Sequence, residues 1–311
     1  MIKFIEHENI NKQKWDECIL HSVNARTYAL SWYLSAVAPD WSALVLDDYQ
    51  AVFPIISGKK MGINYIYQPV FTQQLGLFTP LLLTPQLVES FIKKLESISP
   101  LIQINLNSYN KISEDFKHSS KKVNHELDLI SSHEIIKKGY SKNLKRNIKK
   151  ALKAKLSVFK NLKPEPVIGL FRANKGKDIN GLSESDYIKL NHLLYKSIGK
   201  NSLEIWGVFT EENTLCAAAV FLKEIRRHVF LFSATNSEAK TNGAMPYLID
   251  SYIEAHSETK MIMDFEGSND QNLARFYKSF GSTVVHYPHL CLNNLPWYLS
   301  ILWKIKRRLA S

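Results

Sequence analysis

The order of periodic segments between residues 203 and 287 limits the fold more than any other feature of this sequence. Three short runs rich in β-branched and aromatic residues follow one another with turn residues between them, which predicts an antiparallel meander. Longer segments with helical spacing then alternate with short apolar runs. The predicted elements are strands at Leu203–Phe209, Thr214–Leu222 and Arg227–Ala234, a helix at Ala244–Ser257, a strand at Lys260–Phe265, a helix at Asn272–Phe280 and a strand at Thr283–Tyr287. This order is typical of an α+β fold with a mixed sheet.

The first half of the chain has a related order. The 311 residues are about twice the usual domain size, so two domains are expected. Strands are predicted at Ser42–Leu46, Ala51–Ile56 and Ile63–Gln68, followed by a helix over Pro85–Ser97 that Thr84 caps and by a strand at Leu101–Leu106. We therefore predict two tandem domains, 1–135 and 136–290, each a mixed β-sheet flanked by helices, with a separate segment at 291–311.

The cysteine content and the hydropathy limit the cellular compartments in which the protein is expected. The three cysteines, Cys18, Cys216 and Cys291, are far apart in the sequence and lack CxxC spacing, so neither a disulfide framework nor a metal site is predicted. The chain has no apolar run of about 18 residues, so we expect no transmembrane segment. A cytoplasmic location is the prediction that fits these observations.

The net charge of +11 is concentrated in one segment. Residues 137–155 contain nine lysines or arginines and no acidic residue. Tyr140, Leu144, Ile148 and Leu152 fall at every fourth position within it, which predicts a helix with an apolar stripe under a cationic face. This face is either a solvated surface or a binding surface for an anionic ligand, an acidic partner or a phosphate backbone such as that of tRNA.

A run of small and polar residues, Lys240-Thr241-Asn242-Gly243-Ala244-Met245, joins a predicted strand to the helix after it. Backbone N–H groups at a helix N-terminus form a ready anion site. Lys240, Asn242, Gly243, Ala244 and Met245 are therefore candidates for binding the phosphates of a donor substrate. The alternative is a simple strand-to-helix turn.

The candidates for proton transfer follow the next strand. Asp264 and Glu266 lie at its end, where Glu266 can act as a base towards an amine and Asp264 can contact a substrate. Glu266 or Asp264 can instead cap the next helix. On that helix Tyr277 is a candidate general acid, while Asn272 and Arg275 are candidates for donor and substrate contacts; packing is the alternative for Tyr277.

Taken together, these motifs resemble the GNAT acetyltransferases. Lys240–Met245 is similar to the phosphate loop of that superfamily, and the stretch from Asn272 through Tyr277 to Gly281 is similar to its N-x-x-A-x-x-x-Y segment. The basic stretch Ser141–Ala154 and the sequence Asp264-Phe265-Glu266-Gly267-Ser268 resemble the Fem-like branch, which has tandem GNAT-type domains. A further similarity to that branch is Tyr67-Gln68-Pro69 together with Gln73-Gln74-Leu75-Gly76.

The resemblance implies an acyltransferase that needs no metal and acts by direct transfer to an amine acceptor. Its donor would be acetyl-CoA, another acyl-CoA, or an aminoacyl-tRNA, because Fem-type enzymes move an amino acid from tRNA to a peptidoglycan precursor. Lys240 stands where the GNAT loop usually has Arg or Gln, and Met245 stands where it has a small residue. A GNAT-like binding module without catalytic activity is the competing hypothesis.

Two further segments have open interpretations. Gln68, Gln73 and Gln74 are predicted either to hydrogen-bond the acceptor or to be the remnant of a second phosphate loop. The tail at residues 295–309 is amphipathic, with tryptophans and a basic end, and is expected to pack on the first domain as a helix or to lie on an anionic membrane surface. The ten histidines show no paired spacing and are interpreted as structural.

Overall fold

The computed structural model describes residues 1–60, 62–174, 182–267, 269–297 and 299–300, and of Lys240 it describes the backbone alone. The chain divides into two compact units. The N-terminal unit is Met1–Lys122 together with the segment that starts at His286, and the C-terminal unit is Val123–Val285. Both units are α+β, as predicted.

The described strands and helices, in chain order, have the following bounds. The strands are β1 Ile2–Ile5, β2 Ser42–Leu46, β3 Ala51–Ile55, β4 Ser57–Lys60, β5 Ile63–Tyr67, β6 Leu101–Asn105, β7 Ser119–Asp128, β8 Ser157–Phe159, β9 Leu203–Phe209, β10 Leu215–Lys223, β11 Arg227–Thr235, β12 Ile262–Asp264 and β13 Thr283–Asn293. The helices are α1 Lys12–His21, α2 Ser31–Val37, α3 Pro85–Glu96, α4 His133–Lys138, α5 Lys142–Lys153, α6 Pro164–Ala173, α7 Glu184–Gly199, α8 Ala239–Asn242, α9 Ala244–His256 and α10 Gln271–Lys278.

The N-terminal unit contains two sheets. Strands β1, β2 and β3 form an antiparallel sheet, while β4, β5, β6 and the part of β13 from His286 onward form a mixed one in which β5 and β6 are parallel. Helix α3 begins where the Thr84 hydroxyl accepts a hydrogen bond from the Leu87 amide, as the sequence predicts. Its apolar face supplies Phe91, whose ring stacks on Phe53 in the core at 6.3 Å between centroids.

The C-terminal unit is built on a mixed sheet in the order β7-β12-β11-β10-β9-β8. The predicted meander β9-β10-β11 is antiparallel, and β11 and β12 are parallel because helix α9 connects them. Helix α9 packs its apolar face on the sheet, where the ring of Tyr252 stacks on Phe221 at 3.5 Å. This core fixes the two parallel strands and the turn that opens α9.

The basic segment differs from the prediction in one respect. It is not one helix over 137–155, because α4 ends at Gly139 and α5 begins after Ser141, whose hydroxyl accepts from the Leu144 amide. Leu152 is exposed, and Ala151 is buried in its place. A stripe at every fourth position drifts by about 40° per step around an α-helix, so the buried side turns from Ile148 to Ala151.

Two other predictions were wrong. Residues 58–60, which the sequence leaves as a turn between the predicted strands Ala51–Ile56 and Ile63–Gln68, are part of β4, which pairs with β5. Strand β13 continues to Asn293, opposite Leu101 of β6, because Leu290 and Leu292 are buried there. The predicted C-terminal helix therefore does not begin at residue 291; residues 298 and 301–311 of that segment lie outside the described residues. No helix among the described residues is long and apolar enough to cross a membrane.

A buried imidazole in the C-terminal unit makes stability depend on pH. The Nδ1 atom of His228 lies 2.8 Å from the Tyr252 hydroxyl. Burial, and to a lesser extent the nearby His256, lower the pKa of His228 from 6.5 to about 4. Because the unfolded state binds the proton first, we expect the free energy of unfolding to fall by about 2–3 kcal/mol as the pH decreases from roughly 6.5 to 4.

This expectation can be checked by urea denaturation across that pH range. His228→Gln keeps a polar partner for Tyr252 but does not titrate, so it should lose clearly less stability than the wild-type protein on acidification. His21→Gln, at an exposed position of α1, is the control and should behave like wild type. Equal acid sensitivity of the His228→Gln variant and wild type would contradict the assignment.

Candidate functional site

The parallel strands β11 and β12 pair over only three residues and then separate. Their pairing runs from Arg227 opposite Ile262 to Val229 opposite Asp264. Strand β11 continues to Thr235, whereas the chain leaves β12 after Asp264. Within the described residues no strand pairs with this edge of β11 from residue 230 to residue 235. The separation leaves a fork with an unpaired backbone edge, a type of edge that can pair with an extended ligand.

Tyr277 lies at the base of this fork. Its ring stacks on Phe265, the first residue after β12, at 4.9 Å and 22°, and meets Phe230 of β11 edge-on at 6.1 Å. The side chain is buried, and its hydroxyl forms no hydrogen bond with a described residue. Burial raises the pKa of Tyr277, and the carboxylates of Glu266 and Asp270 raise it further. Tyr277 is therefore a protonated phenol at neutral pH, as a general acid must be.

Glu266 directly follows Phe265, whose ring stacks on Tyr277, and the Glu266 carboxylate helps to raise the pKa of that phenol. Its backbone has φ of 53°, the left-handed region, and the following Gly267 has φ of 45°. A left-handed backbone is costly for residues other than Gly. The turn is held because the Glu266 amide donates to Asp264 Oδ1 at 3.0 Å. The structure thus places the two residues predicted for proton transfer in one neighbourhood.

Asp264 makes a different set of contacts from those of Glu266. It is buried, and its Oδ2 lies 2.7 Å from Arg227 Nη1, while Asn124 donates to its Oδ1 at 2.7 Å. Arg227 also contacts Glu126 at 2.8 Å. The carboxylate predicted to contact substrate is therefore neutralised inside the protein, where it joins β7, β11 and β12.

The turn that opens α9 leaves few backbone donors for an anion. The Asn242 amide donates to the Glu238 carbonyl, and the Ala244 amide donates to the Asn242 side chain at 3.0 Å. Pro246 has no N–H group to offer. Met245 is buried, and the Lys240 side chain lies outside the described residues. The predicted phosphate turn exists, but part of its hydrogen-bonding capacity is used internally.

Helix α5 packs directly on Gly243. This glycine has φ of 81°, and a Cβ added to it would lie 2.2 Å from the Asn147 carbonyl oxygen. Neither the backbone conformation nor the space allows a side chain. The glycine that the sequence identifies as a phosphate contact is therefore also the point where the basic helix meets α9.

We expect Gly243→Ala to lower the free energy of unfolding by about 2–3 kcal/mol, the sum of left-handed strain and overpacking against α5. Gly281→Ala is a matched control, since its φ is also 81° but its nearest neighbour, the Gly139 carbonyl oxygen, is 3.4 Å away. The control should lose about 1–2 kcal/mol from backbone strain alone. Urea denaturation measures both. Equal losses would show that the close contact with Asn147 does not restrict this site.

The exposed side of α5 is a dense cationic surface. Helical spacing of about 100° per residue puts five exposed cations within an arc of about 100°, opposite the buried Leu144, Ile148 and Ala151. None of the five forms an ion pair with a described residue. We name this set the α5 cationic face: Lys142, Arg146, Lys149, Lys150 and Lys153.

Asn272 and Arg275 lie where α10 faces α5. Both line a cavity of about 560 Å³, with Asn143 and Asn147 of α5 on its other side. Asn272 and Arg275 are exposed. The structure therefore joins two predicted contact residues to the basic helix through a pocket rich in side-chain amides.

The glutamines of the N-terminal unit contact their own unit. Gln68 accepts from the Asn105 amide at 3.0 Å, and Gln74 accepts from the Ser108 amide at 3.1 Å and donates to Gln73 Oε1 at 2.7 Å. These bonds attach the segment after β5 to β6 and the loop after it. The side chains of these glutamines thus have hydrogen-bond partners within the N-terminal unit.

Sequence reasoning did not find Arg227, Asn147 or His125 as parts of this region. The signal for Arg227 was present: an arginine beginning an apolar strand needs a buried partner. His125 lies two residues from each of the apolar residues Val123 and Leu127. Side chains at this spacing share one face of a strand, which indicates that His125 faces inward with them. Nothing in the sequence marks Asn147, since its backbone rather than its side chain meets Gly243.

Comparisons with known proteins identify the fold. No protein-family model matches the chain, and no curated protein sequence matches it. Among solved structures, FemX superposes with a TM-score of 0.62 at 12% identity, covering 96% of this chain and 99% of FemX. A conserved protein from Bacteroides thetaiotaomicron superposes with a TM-score of 0.59 at 9% identity, covering 94% of this chain and all of its own.

A third structure, L-PGS from Bacillus licheniformis, superposes with a TM-score of 0.52 at 11% identity, covering 89% of this chain and 92% of that one. The likeness to FemX extends over nearly the full length of both chains. The chain therefore has a fold similar to that of FemX over nearly its full length, and its two α+β units confirm the predicted fold class.

Proposed function

We propose that this protein is an N-acyltransferase whose donor is an aminoacyl-tRNA and whose reaction takes place at the fork between β11 and β12. The observation that carries the proposal is the position of Tyr277 at the base of that fork, beside the unpaired edge of β11 and stacked on Phe265, the residue before Glu266. FemX and L-PGS have similar folds, and an aminoacyl-tRNA is one of the donors that the resemblance of the sequence motifs implies.

The bond changes are those of aminolysis. The acceptor amine attacks the ester carbonyl of the donor, so that a C–N bond forms and the C–O bond to the terminal ribose breaks. Glu266 accepts the proton that the amine loses, directly or through water. Tyr277 gives its proton to the departing ribose oxygen. Holding donor and acceptor together at the fork supplies the remaining acceleration.

The choice of tRNA over CoA rests on where the cationic groups and backbone donors are. The α9 turn keeps few free N–H groups for a diphosphate, since Asn242 and Ala244 already donate within the protein. The α5 cationic face extends over about 16 Å of helix at 1.5 Å per residue. Its five unpaired cations suit a run of phosphates better than one diphosphate. Clustered Lys and Arg along a helix is the usual electrostatic footprint of nucleic-acid binding.

The donor assignment predicts a salt-dependent complex with tRNA. Changing Lys142, Lys149 and Lys153 to Gln should weaken tRNA binding by about 30- to 100-fold near 0.1 M salt and reduce the salt slope by about 2–3. A filter-binding or fluorescence-anisotropy titration at several salt concentrations measures both quantities.

The control variant removes the same number of positive charges from another part of the protein. Lys60→Gln, Lys93→Gln and Lys94→Gln combined remove three exposed lysines from the N-terminal unit. This variant should keep the wild-type salt slope. If both triple variants lost the same affinity, only net charge would matter and the α5 cationic face would have no special role.

A second candidate donor is acetyl-CoA, favoured by the Gly243 turn itself, whose left-handed glycine opens α9 next to the fork. Calorimetric titration with acetyl-CoA and with uncharged tRNA separates the two. Binding of acetyl-CoA without binding of tRNA would replace the donor in this proposal and leave the fork as its reaction site.

A further inference from the structure

A second cavity in the C-terminal unit, of about 560 Å³, lies on the other side of α10 against strand β7. His125 of β7 lines it, together with Arg275 and Lys278 of α10 and the amide side chains of Asn269 and Gln271. Among the described residues, no acidic side chain lines this cavity. Its polar lining therefore consists of cations, amides and one imidazole.

His125 is only 3% exposed. The Nδ1 atom of its imidazole has no hydrogen-bond partner among the described residues. A buried polar atom without a partner costs about 1–3 kcal/mol. Burial, and secondarily Lys278, lower the pKa of His125. The ring is thus neutral at pH 7 and has one N–H donor and one acceptor nitrogen. Buried unsatisfied groups of this kind call for a ligand or water that completes them.

The two cations of the cavity are also available. Arg275 and Lys278 are exposed, and neither forms a salt bridge or a side-chain hydrogen bond with a described residue. A guanidinium binds carboxylate or phosphate oxygens through two parallel N–H groups, and an ammonium adds a point charge. Without a nearby acid to neutralise them, these side chains give the cavity a positive potential that favours an anion.

The cavity is next to the reaction site. The His125 carbonyl accepts a hydrogen bond from the Phe265 amide at 3.0 Å. Phe265 precedes Glu266 and stacks on Tyr277. A group bound against His125 is therefore on the strand that pairs with the segment carrying Phe265 and Glu266, near the proposed base Glu266 and the proposed acid Tyr277.

We propose that this cavity binds an oxyanion of the acceptor substrate, a phosphate or carboxylate group, between His125 on one side and Arg275 and Lys278 on the other. The acceptor is then an amine that carries a negative charge. The assignment of this oxyanion to the acceptor rests on the proposed function. The binding of an anion in the cavity does not depend on that function.

The probes that test it are inorganic phosphate and acetate, added separately to the full-length protein labelled with ¹⁵N-histidine. We expect saturable shifts of the His125 ring nitrogens with at least one probe, and the stronger of the two identifies the oxyanion. In Arg275→Gln, an exposed position, the dissociation constant should increase by about tenfold, the loss of one charge-assisted contact. Arg226→Gln, an exposed arginine of the same unit, is the control and should bind like wild type.

Absence of a saturable shift at His125 with both probes would overturn the site, as would equal weakening in Arg275→Gln and Arg226→Gln. The outcome is separable from that of the proposed function. Anion binding at His125 in a protein that does not transfer aminoacyl groups would keep the cavity and refute the reaction. Aminoacyl transfer without anion binding at His125 would support the reaction and refute the anion site.

Discussion

Replacing Arg227 with methionine is expected to lower the free energy of unfolding by about 3–5 kcal/mol, the usual cost of leaving a buried carboxylate without its cation. Arg227 is 4% exposed and contacts Asp264 at 2.7 Å and Glu126 at 2.8 Å. Methionine fills similar space but neutralises neither acid. Since Asp264 also holds the Glu266 turn, the fork should loosen as well.

Chemical denaturation of two further variants decides whether charge is the cause. Arg226→Met removes an exposed arginine from the adjacent position and should cost little. Arg227→Met combined with Asp264→Asn and Glu126→Gln removes two of the stranded charges, leaving that of Glu224, whose carboxylate lies 3.9 Å from Arg227 Nε, and should recover part of the loss. Similar stability of Arg227→Met and Arg226→Met would show that the buried ion pair contributes nothing.

Tyr277→Phe is expected to reduce aminoacyl transfer by about 100- to 1000-fold, the range for loss of a general acid. The readout is hydroxamate formation from aminoacyl-tRNA with hydroxylamine as a small amine acceptor, after subtraction of the protein-free rate. Stability should be unchanged because the Tyr277 hydroxyl makes no hydrogen bond with a described residue and the ring still stacks on Phe265.

The matched control is another buried tyrosine of the same unit. Tyr252→Phe loses the contact with His228 and should cost about 1 kcal/mol of stability. Its transfer rate should remain that of the wild type, since it lies in the core. A Tyr277→Phe variant with undiminished transfer would remove Tyr277 from the reaction.

Local features of the fold were predictable from sequence because they depend on neighbours within a few residues. The helix starts at Thr84, Ser141 and Ser183 each follow from a short polar side chain that caps the turn after it. The order of strands and longer helices from residue 203 onward follows from periodicity, residue composition and turn residues, whereas the short helix α8 was not predicted. These signals place Glu266, Tyr277 and the Gly243 turn on the right elements.

The rest of the site depends on contacts between distant residues. Arg227 meets Asp264 across 37 residues and Glu126 across 101. The backbone of Asn147 reaches Gly243 through helix packing that no local pattern encodes. Asp264, two residues before Glu266 in the sequence, resembled a second site acid, yet its buried contacts with Arg227 and Asn124 make it structural. Burial and partner, rather than residue type, assign the roles of these two carboxylates.

The central claim, aminoacyl transfer at the fork of the C-terminal unit, is tested most directly by one parallel measurement. Aminoacyl-tRNA and acetyl-CoA are each incubated with hydroxylamine and the protein, and the hydroxamates are quantified against protein-free controls. We predict protein-dependent aminoacyl hydroxamate from aminoacyl-tRNA that disappears in Tyr277→Phe. Acceleration with acetyl-CoA alone, or with neither donor, would contradict it.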